Sequence, residues 1–410
     1  DFFCLRVAAE RDHLHAIQQR RMDRAELVGG GDEEHPREVD RDLQEVIAER
    51  VVLRRVEHFE ESGCRIALDA ERIVLDAAGL AGYANAGESV SIHADNIALT
   101  NRAGATATGS PPDGSGTLTL SAREVTLGAG DFVVRGFSDT TIAASQQIVA
   151  RPETSSPAGL HVAGDLTLDA TRITAGPGAD VRIDTHDAMG VPAGKITLAA
   201  PAVPANLAPA TDLGGKLEIV ASAIDHAGRI ELPSGVVSLH ATEGDVNIAP
   251  NAVIDVSGRD LAFADLTVGS PGGQVALIAD AGSVDVGAGA LIDVSGGASG
   301  GDAGKISIGA PRGEVRLDPA AQLAGSARAG AKAAAFALDA QRLTSGFSQL
   351  NAALNTSGFT EGRQFRLRTG DVVIAADDVV LAHDLRLAAD AGSIDVRGRI
   401  DASGEQAGHV

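Results

Sequence analysis

One phrase is written three times in this chain. Residues 279–296 read ADAGSVDVGAGALIDVSG, and residues 241–258 read ATEGDVNIAPNAVIDVSG, identical at nine of eighteen positions. Residues 389–404 read ADAGSIDVRGRIDASG, the same phrase shortened by two. A unit that recurs in this way is too small to bury its own apolar face. It needs a neighbouring copy to lie against, which is the logic of a solenoid. Within residues 274–296 three short apolar runs, VALI, SVDV and ALIDV, are separated by ADAG and GAG. Three strands and three corners in just over twenty residues make one turn of a parallel β-helix. Each turn then rests on the one before, with strands about 4.8 Å apart.

Two further markers extend this reading over residues 66–410. The first is an octet: apolar, any, apolar, any, Ala, any, any, apolar. It occurs as IALDAERI from Ile66, VSIHADNI from Val90, LTLSAREV from Leu118, LTLDATRI from Leu166, LEIVASAI from Leu217, FALDAQRL from Phe336 and VVIAADDV from Val372. Alternation over four residues is a half-buried strand, the small Ala allows a tight corner, and the next apolar residue begins another strand. In LTLDATRIT, Leu166, Leu168 and Ile173 are expected inside, and Thr167, Asp169 and Arg172 outside. The second marker is a glycine one residue before an apolar–x–apolar triplet, at Gly116, Gly164, Gly194, Gly215, Gly235, Gly273 and Gly304. The steps of 21 and 20 residues, Gly194 to Gly215 and Gly215 to Gly235, read as single coils. Longer steps read as a coil with an inserted loop or as two coils. The insertions are rich in Gly, Pro, Ser and Asp, the residues that turns favour.

The first 65 residues speak a different language. They hold 16 acidic residues, 11 Arg, both cysteines (Cys4, Cys64) and only four of the 49 glycines. A boundary therefore falls near residues 63–65. From Arg37 to Glu61 the apolar positions Val39, Leu43, Val46, Ile47, Leu53, Val56 and Phe59 are spaced mostly by threes and fours, which predicts helix. VGGGDEEHP, residues 28–36, predicts a turn before it. The stretch from Asp1 shows no short apolar h-region, so no signal peptide is expected there. The fold class expected is all-β: a parallel β-helix over 66–410 with a short helical or poorly ordered appendage over 1–65.

At about 20–25 residues per coil, residues 66–410 would give roughly 14–17 coils and a rod of about 65–80 Å. Val, Ile, Leu and Ala would fill a narrow interior, which accounts for the absence of Trp and the seven Phe in 345 residues. A β-sandwich has no need of one octet seven times, and a propeller would repeat every 40 or so residues with aromatic signatures.

These residues carry a family resemblance. GGQVALIADAGSVDVGAGALIDVSG (272–296), VVSLHATEGDVNIAPNAVIDVSG (236–258) and the LTLDATRIT octets resemble the repeats of filamentous haemagglutinin-like exoproteins. The resemblance covers about residues 66–410. It implies a right-handed β-helical shaft of a large bacterial protein, exported through an outer-membrane β-barrel partner by the two-partner route and used in adhesion or cell contact. The Asn-Pro-Asn motifs of that family's secretion domain are absent, so the chain is expected to be an internal or carboxy-terminal piece of such a shaft. The absence of cysteine from residues 66–410 fits a chain that threads a pore unfolded, where a disulfide would block passage. Folding coil by coil outside the cell would then bias transport outward.

Other chemistry is sparse. The net charge of −22 and only four lysines (Lys195, Lys216, Lys305, Lys332) argue against nucleic acid. No apolar run approaches the roughly 18 residues of a membrane span. No G-x-G-x-x-G lies between a strand and a helix. GASGG (297–301) matches G-x-S-x-G only formally, because no strand leads into a helix there. In AGKIT and AGKIS, Ile follows Lys195 and Lys305 where a P-loop requires Ser or Thr. His13, His15 and Cys4 match no zinc spacing. Asp255, Asp285 and Asp293 occupy equivalent repeat positions and are expected to be solvated, and the G-G-x-G-x-D calcium repeat is absent. No catalytic, cofactor or metal residues are therefore assigned, and no enzyme activity is expected. Two functions are weighed: a secreted or surface-exposed adhesin-like rod with loops such as 100–116 and 258–272 free to meet partners, and a β-helix lyase or hydrolase acting on acidic glycans. An enzyme would converge three or more carboxylates with an Arg or Lys in one cleft, whereas a rod would spread them.

Overall fold

The computed structural model describes residues 45–53, 67–81, 89–107, 115–151, 158–186, 191–403 and 408–410, with the backbone alone for 45–53 and 67–70. Its strands stack in parallel, turn upon turn, into a parallel β-helix with three sheet faces. The repeated phrase shows why. Val236–Ala241, Val246–Ile248 and Val253–Asp255 form one turn. Gln274–Ala279, Val284–Val286 and Leu291–Asp293 form the next, strand on strand. Val237 pairs with Val275, Val246 with Val284, Ile254 with Ile292 and Asp255 with Asp293. The three expected strands within 274–296 thus lie where the sequence put them, and like residues meet because they share a register.

Face A carries the strands that follow the glycine marker. Lys216–Ala221, Val236–Ala241, Gln274–Ala279, the first half of Lys305–Leu317 and the first half of Ala335–Leu343 stack there in turn. Face B continues through Lys195–Ala199, Ala223–His226, Val246–Ile248 and Val284–Val286. Face C continues through Arg229–Glu231, Val253–Asp255, Leu291–Asp293 and Gln322–Ala324. Earlier in the chain single long strands, such as Thr117–Leu127 and Asp165–Ala175, cover faces B and C by bending at the octet's Ala. Leu118, Leu120, Ala122 and Val125 all point inward, and the register against the next strand shifts just after Ala122. Leu166, Leu168 and Ile173 are buried as expected.

The marker glycines form a column at the corner before face A. An added Cβ at Gly235 would come within 2.5 Å of the Gly215 carbonyl oxygen, at Gly273 within 2.0 Å of that of Gly235, and at Gly304 within 1.7 Å of that of Gly273. The backbones approach too closely for any side chain, which is why glycine recurs there. Each carbonyl accepts the amide of the following turn: Val236 from Gly215, Gln274 from Gly235 and Lys305 from Gly273.

Three expectations need correction. The step from Gly194 to Gly215 is not one coil: Gly194 precedes a face-B strand and Gly215 a face-A strand, and Leu217 pairs back to Val181. Second, turn length varies with the inserted loops. Leu217 pairs with Val237, Leu166 with Ile196 and Val237 with Val275, so turns of 20, 30 and 38 residues coexist. Fewer windings result than a uniform repeat would give. Third, within the expected helix Arg37–Glu61, residues Glu45–Leu53 are a strand paired in parallel with Ala67–Asp76. VIAERVVL (46–53) matches LDAERIVL (68–75) at five of eight positions and in register, so the octet begins a turn earlier than residue 66. Strand alternation interrupted by a corner gives apolar spacings of two and three, which imitate a helical period. The rest of 1–65 lies outside the described residues.

The one helix among the described residues is α1 (Phe347–Thr356). It occupies the face-C position of its turn, between Gln322–Ala324 and Val379–Leu381. On one side the Gly325 amide donates to the Ser357 carbonyl, just past the helix. On the other, Asn351 and Asn355 donate to the Val379 carbonyl, and Asn355 Oδ1 accepts the Leu381 amide. The asparagines thereby satisfy a strand edge that a missing strand would have left open. A helix is wider than a strand, and four phenylalanines fill the added space. Phe336 packs on Phe359 and Phe365, and Phe347 on Phe365, with centroids 5.1–6.1 Å apart.

Candidate functional site

The exterior of face C carries a polar ladder that crosses several turns. Outward positions Asn96, Glu124, Gln147 and Arg172 stand in register. Gln147 donates to Glu124 at 2.7 Å, and Arg172 donates to Gln147 at 2.6 Å. Arg172 also pairs with Glu231 at 3.5 Å, one turn further on. Glu231 receives Arg229 at 3.3 Å and Arg259 at 3.2 Å, and Arg259 binds Asp255 at 3.0 Å. Burial would raise the Asp255 carboxyl, but hydrogen bonds from Ser257 and Arg259 outweigh it and hold it below the ordinary carboxylate value.

This cluster comes nearest to a converging catalytic set, and its chemistry is that of a fastening. Glu231 is only 3% exposed at its side chain. Residues 200–214 cross over it: the Ala210 amide donates to Glu231, and Arg172 donates to the Ala208 carbonyl at 2.7 Å. The Ala205 amide is held by Thr171. Two carboxylates stand against three guanidiniums, all engaged with each other or with the backbone of the overlying segment. No open carboxylate faces a space that a substrate chain enters.

Next to the ladder, the same face opens into a groove of about 550 Å³. Its floor is made of small outward residues, Ala98, Thr126 and Gly128, and its rims carry Arg72, Asn96 and Glu124 on one side and Arg102 and Arg151 on the other. Arg102 reaches Asp76 at 3.8 Å and Arg151 reaches Glu124 at 3.9 Å, and both arginines are about half exposed.

Face A holds a second cluster. His161 lies between Asp184, 2.9 Å from Nδ1, and Asp131, 3.4 Å from Nε2. Gly159 leaves the room: a Cβ there would meet the Asp131 carboxylate at 2.3 Å and the His161 ring at 2.6 Å. The hydrogen bond to Asp184 raises the His161 pKa against the opposing effect of burial. Burial would raise Asp184, but His161, His186 and Arg182 hold it well below the usual carboxylate range. Both imidazole nitrogens face carboxylates, so the ring is fixed as a doubly bonded cation and is poorly suited to act as a base.

The residues weighed from sequence are dispersed. Asp285 pairs with Arg316 at 3.2 Å on face B, and Asp293 accepts the Ser295 amide on face C. Asn247 and Asp285 stack as repeat neighbours. Ser299, in the GASGG loop, bonds Asp260 at 2.9 Å through its hydroxyl and has no histidine beside it. Lys195 forms an ion pair with Asp225 across the next turn. His13, His15 and Cys4 lie outside the described residues. Among the described residues no group of three or more His, Cys, Asp or Glu is arranged to hold a metal, and no helix is long and apolar enough to cross a membrane. The loop 258–272 contains an antiparallel hairpin, Asp260–Phe263 with Leu266–Gly269, whose Phe263 and Leu266 are 58% and 59% exposed.

The fold thus defines the class, a parallel β-helix with its outward polar residues engaged in ladders. No protein-family model, curated protein or solved structure matches the chain.

Proposed function

We propose that this chain is shaft material of a secreted or surface-exposed adhesin-like exoprotein of the filamentous haemagglutinin type, non-catalytic, exported through an outer-membrane β-barrel partner. The observation that supports it most is the commitment of outward charges to neighbouring turns. Glu231, Asp255, Asp184 and Asp225 are each bonded to residues of adjacent turns or to the overlying segment, rather than gathered open-faced in a cleft. The exposed hairpin at 260–269 supports a shaft that presents loops to partners.

The reading is tested by mapping peptides of the chain in extracellular, surface and cytosolic fractions of the producing cell. Peptides from 66–410 in the extracellular or surface fraction, falling when the β-barrel partner is deleted, are expected. Peptides confined to the cytosol would overturn export. Separately, the purified chain is expected to release no reducing or unsaturated sugar ends from acidic polysaccharides; catalytic release of such ends would replace the adhesin reading with a lyase or hydrolase.

A further inference from the structure

We infer that the groove on face C is a binding site for an acidic glycan, a chain of sugars bearing carboxylates. The inference goes beyond the shaft assignment and holds whether or not the chain is exported. It rests on charge, geometry and contrast with the adjacent ladder.

In a molecule of net charge −22, three arginines rim one groove. Only two carboxylates, Glu124 and Asp76, are near them, and both sit at the long ion-pair distances given above. Among the described residues Arg72 is exposed and has no carboxylate partner. One turn earlier, the strand Glu45–Leu53 places Arg50 at the register position beside Arg72. The contrast is Arg172, two to three turns away on the same face, whose guanidinium is saturated at 2.6–2.7 Å by Gln147 and the Ala208 carbonyl. Residues 200–214 cover the ladder but not the groove. The arginines at the groove therefore retain donors that the molecule itself does not use.

The ligand class follows from what those donors recognise. Arginine presents a planar fork that takes a carboxylate bidentately. The floor of Ala98, Thr126 and Gly128 offers no apolar pocket and no aromatic platform. That disfavours an apolar peptide anchor, and single-stranded nucleic acid, which needs stacking surfaces. Asn96 and Thr126 supply neutral donors and acceptors beside the arginines, a mixture suited to hydroxyls alternating with carboxylates. The groove runs over turns about 4.8 Å apart, so it meets an extended polymer better than a single small anion.

Binding of a fluorescent oligogalacturonate of defined length to the full chain tests this by anisotropy. Saturable binding that weakens with added salt is expected. The same oligomer with its carboxyls reduced to alcohols should bind at least about tenfold more weakly, as should the doubly substituted chain Arg72→Gln, Arg151→Gln. Arg316→Gln, on another face, should bind as the original does, and urea midpoints of all variants report that they are folded. Absence of saturable binding, equal binding of the reduced oligomer, or unchanged binding by the folded double variant would overturn the site. Polyglutamate binding as tightly as the uronate would overturn the assignment to glycans.

Discussion

At the scale of single residues, the same amino acid is held for different reasons, and substitution separates them. Gly178 has φ +64° and open space around its missing Cβ, so Gly178→Ala should cost about 1–2 kcal/mol, the price of a left-handed backbone alone. Gly304 carries no such backbone demand, but its Cβ would lie 1.7 Å from the Gly273 carbonyl oxygen. The backbone must move, the Lys305 amide loses its partner, and Gly304→Ala should be the more destabilising of the two in urea unfolding. Equal costs would mean that the corner column is not closely packed. His226 is a second case. It is fully buried in face B, and Nε2–H donates to the Val253 carbonyl at 3.1 Å. Burial pushes its pKa down to about 4, against the opposing hydrogen bond. The unfolded chain, with a value near 6.5, takes up a proton that the folded chain refuses. The His226 contribution is therefore intact above about pH 6.5 and is lost as the pH falls toward about 4, by up to about 3 kcal/mol. His226→Leu removes this component, so the stability difference between the original and the variant should shift against the original on acidification from pH 7 to pH 5. His161 has the opposite sign: its raised value adds stability below the unfolded pKa that is lost as the pH rises through the folded one. A pH-independent difference between the original and His226→Leu would contradict the assignment of a buried neutral ring.

At the scale of elements, α1 shows what happens when a turn lacks a strand. Arg363 is buried beneath it, with Nε donating to the Phe359 carbonyl at 2.6 Å and Nη1 to Asn351 Oδ1 at 2.8 Å, while Nη2 has no partner. Burial lowers its pKa to about 10, which leaves it charged at neutral pH among neutral acceptors. Asn351→Ala removes one of those acceptors and the donor to Val379, and should cost about 3–5 kcal/mol, as when a buried charge loses its partner. Arg363→Met removes the charge itself and should cost less, because desolvation of the guanidinium is relieved at the same time. Thermal unfolding of the two variants decides the order, and the reverse order would mean that Arg363 stabilises this turn on balance. The same element marks where sequence reading stops. Strand triplets such as Gln274–Ala279, Val284–Val286 and Leu291–Asp293 are legible because alternation and corner glycines are local signals. The helix is not: its buried Phe347, Leu350 and Leu354 give a helical spacing over only ten residues. Glu45–Leu53 was legible only by aligning it with the turn that follows, since its corner imitates a helical period. Nor is the fastening on face C, whose members Arg172 and Glu231 are 59 residues apart and Glu231 and Arg259 are 28 apart. Those separations depend on loop lengths, and the groove beside it depends on register between turns.

At the scale of the whole molecule, each turn is stabilised chiefly by the turns above and below it, so stability should vary along the axis rather than exist as one number. The turns from Val236 to Leu317 have inward residues with almost no exposure, among them Val237, Leu239, Val246, Ile254, Val275, Val284, Ile292 and Val315. Each is covered on both sides by a paired turn. Toward residue 401 this changes: Ile394 and Val396 are 44% and 49% exposed, and their strand pairs on one side only, with Val372–Ile374. Loop insertions such as 258–272 leave the stack intact, because Val253–Asp255 still lies on Leu291–Asp293. Hydrogen exchange of the native chain should therefore show the slowest amides in 236–317, fast exchange in the hairpin 260–269 within that region, and a graded loss of protection through 384–401. Substituting Ile292 by Ala should lower protection in its own turn and in the turns holding Ile254 and Leu323, its register partners, and leave 384–401 unchanged. A single opening free energy shared by all protected amides would instead mean that the shaft unfolds as one cooperative unit, with coupling between turns far stronger than nearest-neighbour packing provides.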